Sequence, residues 1–338
     1  MSIHIRYLGA FFLSCGALLA LAWFAAANGR IGYMPNQYVL YQDVRERLDR
    51  CDLGDLEVAG DSRMMAAVLP KDMPISTSLL SLGASSAAES YYTIDDVLSC
   101  ARKPKLIVLS LALKSFSGPD DFWRFGATFG FLRERDLDDA RRFSEPLGGA
   151  TLFRSLRGDG LSDRLRVTLY AHSFPAFQFA SMIDGLGVMR LRKNLQTRAA
   201  IEPGGHYLYG DAPVSHALND DVATTAFVAS PLIRAYLDRI VDRTARAGVP
   251  LIFVSVPMNE TSYRALKPGV AAGFQSFMAA YARTHPGLHL LSPDVVPHWP
   301  DEDFGDAQHL NHKGAQRFTA EFSERLKSAG WLTGSPPV

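Results

Sequence analysis

The segment Lys105-Leu-Ile-Val-Leu-Ser-Leu-Ala112 is the most strand-like stretch of the 338-residue chain. It is a continuous apolar run, which is typical of a parallel strand buried on both faces. Four shorter runs have the same character, at residues 56–59, 74–80, 250–256 and 288–291. Helical patterns lie before and between these runs, at residues 37–53, 63–69, 87–101, 229–247, 270–284 and 313–329. The alternation predicts an α/β fold in which helices cover both faces of a mostly parallel five-stranded sheet.

The alternation is lost between residues 114 and 227, where the chain is rich in Arg, Phe and Gly. Helical patterns at residues 136–142, 162–169 and 174–192 predict that this stretch is mainly helical. We interpret it as an insertion that divides one α/β domain into residues 31–113 and 228–332. Its aromatic residues favour a core over a membrane or partner surface. They are Phe116, Phe122, Trp123, Phe125, Phe129 and Phe131.

The N-terminal 30 residues differ in character from the rest of the chain. The 21 residues at positions 7–27 carry no charge and are mostly apolar, and a helix of that length spans the roughly 30 Å hydrocarbon core of a bilayer. Ala25-Ala-Ala27 resembles a signal-peptide cleavage site, but the apolar run is longer than a usual signal core. The sequence therefore favours an uncleaved, single-pass anchor over residues 1–30. Arg6 and the N-terminal amine predict that the body lies outside the cytoplasm, which in a bacterial cell is the periplasmic side of the inner membrane.

Two of the three cysteines lie outside the anchor. Cys51 and Cys100 each precede an apolar strand by about five residues. If those strands are neighbours, as in a sheet of order 2-1-3-4-5, both cysteines lie at the same edge of the sheet. A disulfide in an oxidising compartment is one interpretation, and two unpaired buried thiols is the other.

The charge balance excludes one class of partner. Lys and Arg together number 35, as do Asp and Glu, and the chain has no basic tail. Nucleic-acid binding needs a basic surface, so the sequence predicts no DNA or RNA partner.

Polar residues with catalytic potential follow the predicted strands. Gly60-Asp-Ser62 stands at a strand-to-helix corner, and Gly83 follows the second strand. Asp306 precedes His309 by three residues, a spacing that lets the carboxylate hold one imidazole nitrogen while the other accepts a serine proton. The backbone N–H groups of Ser62 and Gly83 are candidates for an oxyanion hole. Ligands of parallel sheets bind at the carboxyl ends of strands, so these residues are expected to converge there.

In type and placement, these motifs resemble those of the SGNH (GDSL-type) hydrolase superfamily. The resemblance implies a three-layer, flavodoxin-like fold with Ser62 as nucleophile, His309 and Asp306 completing a triad, and Gly83 in the oxyanion hole. Asp61 and Asn311, which flank the motifs, are possible supporting residues. The family's third block normally carries an Asn, which is absent from Leu109-Ser-Leu-Ala-Leu-Lys-Ser115. The identity of the third oxyanion donor is therefore open.

The anchor and the insertion narrow the resemblance to the membrane-anchored branch that O-acylates cell-surface polymers. That branch includes the D-alanyl transfer protein of teichoic acids and the alginate O-acetylation proteins. The resemblance implies an O-acyltransferase, most simply an O-acetyltransferase, that acts on a polysaccharide beside a multispanning membrane acyltransferase and needs no cofactor.

The site residues are compatible with three other interpretations. The same residues suit an esterase or deacetylase, and a noncatalytic assembly subunit is a further alternative. Asp306, His309 and His312 have a spacing compatible with a metal site, but no fourth ligand stands nearby, so no metal is predicted.

Overall fold

Five parallel strands form the central sheet of the protein, which is seen in a computed structural model that describes residues 3–118, 122–147 and 190–332. The strands are β1 (Leu56–Gly60), β2 (Thr77–Leu79), β3 (Leu106–Ser110), β4 (Leu251–Phe253) and β6 (Leu288–Leu290). Their order across the sheet is β2-β1-β3-β4-β6, and every neighbouring pair is parallel. Strands β5 (Met258–Asn259) and β7 (His298–Trp299) form a separate parallel pair. The predicted α/β class and mostly parallel five-stranded sheet are confirmed.

Helices connect the strands and cover the sheet. They are α1 (Ile3–Asn28), α2 (Arg30–Tyr33), α3 (Gln37–Arg50), α4 (Ser62–Ala67), α5 (Ala87–Val97), α6 (Glu134–Ser144), α7 (Arg190–Ala200), α8 (Pro231–Ala247), α9 (Glu260–Ala265), α10 (Val270–Thr284) and α11 (His312–Ser328). Short 3-10 or π turns occur at Pro70–Asp72, Leu113–Phe116, Phe122–Ala127, Glu145–Leu147, Asp220–Ala223 and Asp301–Asp303.

Two elements are shorter than the sequence predicted. The predicted strand 250–256 is reduced to β4, which begins directly after Pro250, a residue with no N–H to donate, and ends at Phe253. Helix α4 ends at Ala67, two residues earlier than expected. Val68 and Leu69 are extended, as residues before Pro70 prefer to be.

The core lies on both faces of the sheet, because successive side chains of a strand point in opposite directions. Ile107 and Leu109 of β3 pack into the larger apolar cluster, with residues of α3, α5, α8 and α10. Leu106 and Val108 pack into the smaller cluster, with residues of α4 and α11. This double burial explains why residues 105–112 read as a continuous apolar run.

The aromatic residues of the insertion belong to the core, as predicted. Phe116, Phe122, Phe129 and Phe131 are essentially buried, and Phe125 is nearly so. Trp123 is partly buried against the same cluster.

Within the described part of the insertion, α6 covers the predicted helical stretch 136–142. Between α7 and α8, where no helix was predicted, the chain contains the short turn Asp220–Ala223 and several prolines and glycines. The predicted helix 162–169, and the predicted helix 174–192 up to residue 189, lie outside the described residues.

The apolar helix joins the body without a flexible linker. The segment His4–Ala25 of α1 is long and apolar enough to cross a membrane or to serve as a signal sequence, and none of it is buried in the structure. Only Gly29 separates α1 from α2. Arg30 donates to the Phe129 carbonyl, and Asn194 donates to the carbonyls of Ile31 and Met34. The insertion therefore holds the segment that follows α1.

Cys51 and Cys100 form a disulfide, with their Cα atoms 5.9 Å apart. Cys51 follows the last residue of α3, and Cys100 lies before β3, which is the neighbour of β1 in the sheet. The disulfide lies at the amino end of the strands, opposite the end that carries Ser62.

Candidate active site

The turn that carries Ser62 depends on a glycine and a capping aspartate. Gly60 ends β1 with φ +145°, and a Cβ atom there would lie 1.9 Å from the carbonyl oxygen of Ser110 on the adjacent strand. Only glycine allows this close approach. Asp61 caps α4 by accepting from the Arg63 N–H at 3.0 Å, and its second oxygen accepts from the Ala112 N–H at 2.7 Å. Asp61 thus links the start of α4 to the segment after β3, a structural role.

Ser62, His309 and Asp306 form a continuous hydrogen-bonded chain. The Ser62 Oγ lies 2.9 Å from His309 Nε2, and the Asp306 carboxylate lies 2.8 Å and 3.0 Å from His309 Nδ1. Asp306 also accepts from the backbone N–H groups of Gln308 and His309 at 2.7 Å and 2.8 Å. The structure therefore brings the three predicted residues into the order nucleophile, base and orienting carboxylate.

The carboxyl groups of Asp306 and Asp61 have pKa values that are shifted in opposite directions. Burial acts to raise the pKa of Asp306, but the hydrogen bond and charge of His309 outweigh it and hold the pKa below its usual range. Burial raises the pKa of Asp61 despite the nearby Arg63 guanidinium. Asp306 is thus held as an anion that can stabilise a positively charged His309, as proton transfer from Ser62 requires.

Tyr209 stacks on the candidate base and was not identified from the sequence. Its ring lies 4.2 Å from that of His309, with the two planes 12° apart, and its hydroxyl donates to the Met65 sulfur at 3.4 Å. The stacked Tyr209 ring holds the plane of the His309 imidazole, and the hydrogen bonds to Asp306 hold the orientation of the imidazole within that plane. A Tyr in an irregular segment carries no sequence signal for such a role.

A close backbone crossing places Tyr209 beside the triad. A Cβ atom on Gly210 would lie 2.6 Å from the Gly305 carbonyl oxygen, and one on Gly305 would lie 2.1 Å from that of Gly210. Any side chain at either position would push the two segments apart. Because Gly210 follows Tyr209 and Gly305 precedes Asp306, the same crossing positions both contacts of His309.

The predicted oxyanion donors are on adjacent turns. Leu82 N–H and Ser85 Oγ both donate to the Gly60 carbonyl, at 2.8 Å and 2.6 Å, and this holds the turn that contains Gly83 against the end of β1. The Gly83 carbonyl accepts from the Tyr41 hydroxyl at 2.6 Å. Within the described part of the chain, the backbone N–H groups of Ser62 and Gly83 form no hydrogen bond to a protein acceptor. Both residues line the cleft that Ser62 opens into.

The segment after β3 is held by a buried ion pair. Arg63 and Asp221 are 2.6 Å apart, with side-chain exposures of 7% and 0%, and Asp221 also accepts from the Lys114 N–H. Burial acts to lower the pKa of Arg63, but Asp221 outweighs it and the pKa is raised. Lys114 and Ser115, which come from the segment after β3 that contains no Asn, line the cleft. The Arg63–Asp221 ion pair thus positions the segment that contains Lys114 beside Ser62. No pattern in the sequence indicated this pairing.

The cleft around Ser62 and His309 has a volume of about 230 Å³. Gln37, Lys114, Asp220 and Gln308 give it a polar rim, and Phe125 contributes an apolar wall. Gln37 is the first residue of α3 and lies nine positions after the end of α1. The cleft wall is therefore separated from the apolar N-terminal helix by only a short length of chain.

Two other predicted residues have structural roles. Asn311 caps α11 by accepting from the Gly314 N–H at 2.9 Å, and it donates to the Glu302 carbonyl. His312 is exposed at the start of α11 and bonds to Gln316. Among the described residues, no group of three or more His, Cys, Asp or Glu side chains has the geometry of a metal site.

Comparisons with known proteins give no assignment. The chain matches no protein-family profile, and no curated protein is significantly similar to it.

Proposed function

We propose that the protein is a serine-dependent O-acyltransferase of the SGNH type, with a flavodoxin-like fold, that modifies a polysaccharide outside the cytoplasm. The observation that carries the proposal is the hydrogen-bonded chain from Asp306 through His309 to Ser62 at the carboxyl end of a parallel sheet. The strand order β2-β1-β3-β4-β6, which is that of flavodoxin-like sheets, supports it.

In the first half of the reaction, Ser62 Oγ attacks the carbonyl carbon of the acyl donor while His309 Nε2 takes the hydroxyl proton. The oxyanion of the tetrahedral intermediate accepts hydrogen bonds from the N–H groups of Ser62 and Gly83. Cleavage of the bond to the donor then leaves an acyl ester on Ser62. The proton on His309 passes to the departing group.

In the second half, a sugar hydroxyl attacks the acyl-Ser62 carbonyl and gives its proton to His309. Collapse of the second intermediate transfers the acyl group to the sugar oxygen and returns the proton to Ser62. The polar rim of Gln37, Lys114 and Gln308 is suited to hydroxyl-rich acceptors. If water takes the place of the sugar, the same steps make an esterase, and the Asp306 side chain, which is 39% exposed, shows that solvent can approach the site.

The position of the cleft supports a membrane-associated reaction. In this proposal α1 is a single-pass anchor, and Gln37 lies close behind it on the cleft wall. An acyl group delivered by a multispanning membrane acyltransferase would then enter the cleft from the nearby membrane surface.

The proposal is tested on the full-length protein in detergent with a fluorophosphonate probe and a chromogenic acetyl ester. We expect the probe to label Ser62, and both Ser62→Ala and His309→Ala to lower ester turnover by at least about 1,000-fold. Ser117→Ala, at an exposed serine outside the cleft, is the matched control. A protein that is folded yet neither labelled nor active would leave only a noncatalytic assembly role.

Transferase and esterase are separated by adding oligosaccharide acceptors to the ester assay. Acyl transfer to the sugar, with less free acetate, supports the transferase. Hydrolysis that no acceptor alters assigns the site to an esterase.

A further inference from the structure

Helix α7 is strongly basic and lies beside the segment that leaves the anchor. Its eleven residues include Arg190, Arg192, Lys193 and Arg198 but no Asp or Glu. Arg190 donates to the Tyr33 carbonyl at 2.9 Å, and Asn194 donates to the Ile31 carbonyl at 2.7 Å. The first half of α7 is therefore fixed against residues that follow α1 almost directly.

The outer side of α7 combines apolar and basic residues. Leu191 and Leu195 are 47% and 52% exposed, although the opposite side of the helix buries Asn194 and Thr197. Arg192 and Lys193 are exposed and have no ionic partner among the described residues. At about 100° per residue Arg192 lies beside the leucine pair and Lys193 lies at the far end of the exposed arc, so long cationic side chains border the leucines as in helices that lie at a membrane surface.

The distance along the chain puts this face within reach of lipid headgroups. The apolar segment of α1 ends at Ala25, and Ile31 is six residues further on, or about 9 Å at the helical rise of 1.5 Å per residue. Each headgroup layer of a bilayer is roughly 5–8 Å thick. The contacts to Ile31 and Tyr33 therefore place the first turn of α7 at the outer edge of that layer, where the long side chains of Arg192 and Lys193 can reach headgroups.

We propose that the N-terminal half of α7 binds anionic phospholipid headgroups on the leaflet that faces the body, with Leu191 and Leu195 packed against the headgroup layer. The inference rests on α1 crossing the bilayer and does not depend on acyl transfer. Anionic lipid complements the unpaired charges of Arg192 and Lys193, and the attraction acts within about 8 Å at physiological salt. This contact would fix the tilt of the body and hold the cleft near the membrane.

The test uses the full chain with Cys15→Ser, so that one introduced cysteine carries an environment-sensitive fluorophore while the disulfide stays intact. The probe is placed at Leu191→Cys, and in a control protein at Ser328→Cys, an exposed position at the far end of α11. Each protein is reconstituted in nanodiscs of phosphatidylcholine alone or with 30% phosphatidylglycerol, a composition chosen as the probe of charge. Emission is also recorded in detergent.

We expect the emission at position 191 to shift to shorter wavelength in anionic discs only, and the emission at position 328 to be unchanged. Arg192→Gln with Lys193→Gln should lower the ratio of bound to unbound α7 roughly 30-fold, because each basic residue near an anionic surface contributes about 1 kcal/mol. Lys103→Gln with Arg283→Gln removes the same charge at exposed positions elsewhere and should have no effect.

Several results would overturn the proposal. One is emission at position 191 that matches position 328 in both discs. Another is a shift that is equal in neutral discs or survives the double substitution, which would show apolar contact without headgroup recognition. A shift of the same size in a nonionic detergent micelle would likewise show apolar contact without headgroup recognition. An intact Cys51–Cys100 disulfide on a nonreducing gel and an unchanged unfolding temperature exclude misfolding, and neither measurement depends on the proposed catalytic function.

Discussion

Replacement of the buried Glu57 by Gln is predicted to stabilise the protein in a strongly pH-dependent way. Glu57 lies in the middle of β1, paired with Ser78 and Ile107, and only 1% of its surface is exposed. Burial raises the pKa of its carboxyl group to about 9, against the lowering effect of the Gly54 N–H and of Arg47. The folded state therefore keeps a proton that the unfolded chain, with a pKa near 4.5, has already released.

The sign and size of the effect follow from this difference. Below pH 4.5 both states are protonated and the carboxyl group adds no pH dependence. Between pH 4.5 and 9 the free energy of unfolding falls by about 1.4 kcal/mol per pH unit, and above pH 9 it is constant. At pH 7 the cost is on the order of 3 kcal/mol. The uncharged amide of the Glu57→Gln variant avoids this cost while keeping nearly the same shape.

The assay is thermal unfolding of the full-length protein in detergent, from pH 4.5 to pH 9. At roughly 2 cal/mol/K of unfolding entropy per residue, 3 kcal/mol corresponds to about 5 °C. We expect Glu57→Gln to unfold about 5 °C above wild type at pH 7 and at nearly the same temperature at pH 4.5. Glu324→Gln, at an exposed position, should show no such trend. A Glu57→Gln difference that is the same at every pH, or a loss of stability at pH 7, would refute the reasoning.

Two further predictions concern the disulfide and the stacked tyrosine. Cys51→Ser with Cys100→Ser opens a loop of 49 residues and should lower the free energy of unfolding by about 4 kcal/mol, or the unfolding temperature by roughly 6 °C. The folded double variant should still be labelled at Ser62. An unchanged unfolding temperature would show that the disulfide does not constrain the unfolded chain. Tyr209→Ala should slow fluorophosphonate labelling of Ser62 at least about 10-fold. Tyr209→Phe should slow it much less, because Phe keeps an aromatic ring stacked on His309. Equal effects of the two substitutions would show that the Tyr209 hydroxyl, and not the stacked ring, supports His309.

Local patterns in the sequence determined the class of fold and the triad candidates. Residues 105–112 predicted a buried parallel strand because a strand covered on both faces needs apolar side chains at every position. Asp306 and His309 were predictable as a pair because a spacing of three residues in one turn brings the side chains together. Cys51 and Cys100 could be considered together because each lies a similar distance before a strand, but only the structure shows the disulfide.

The tertiary structure alone decided how the site is supported. Tyr209 reaches His309 because Gly210 and Gly305 let two irregular segments cross at backbone contact, and irregular segments have no periodicity from which such a crossing could be predicted. Arg63 and Asp221 are far apart in the chain, and each alone reads as an ordinary surface charge. Their pairing is favourable only where the fold buries both, so it is a property of the assembled molecule.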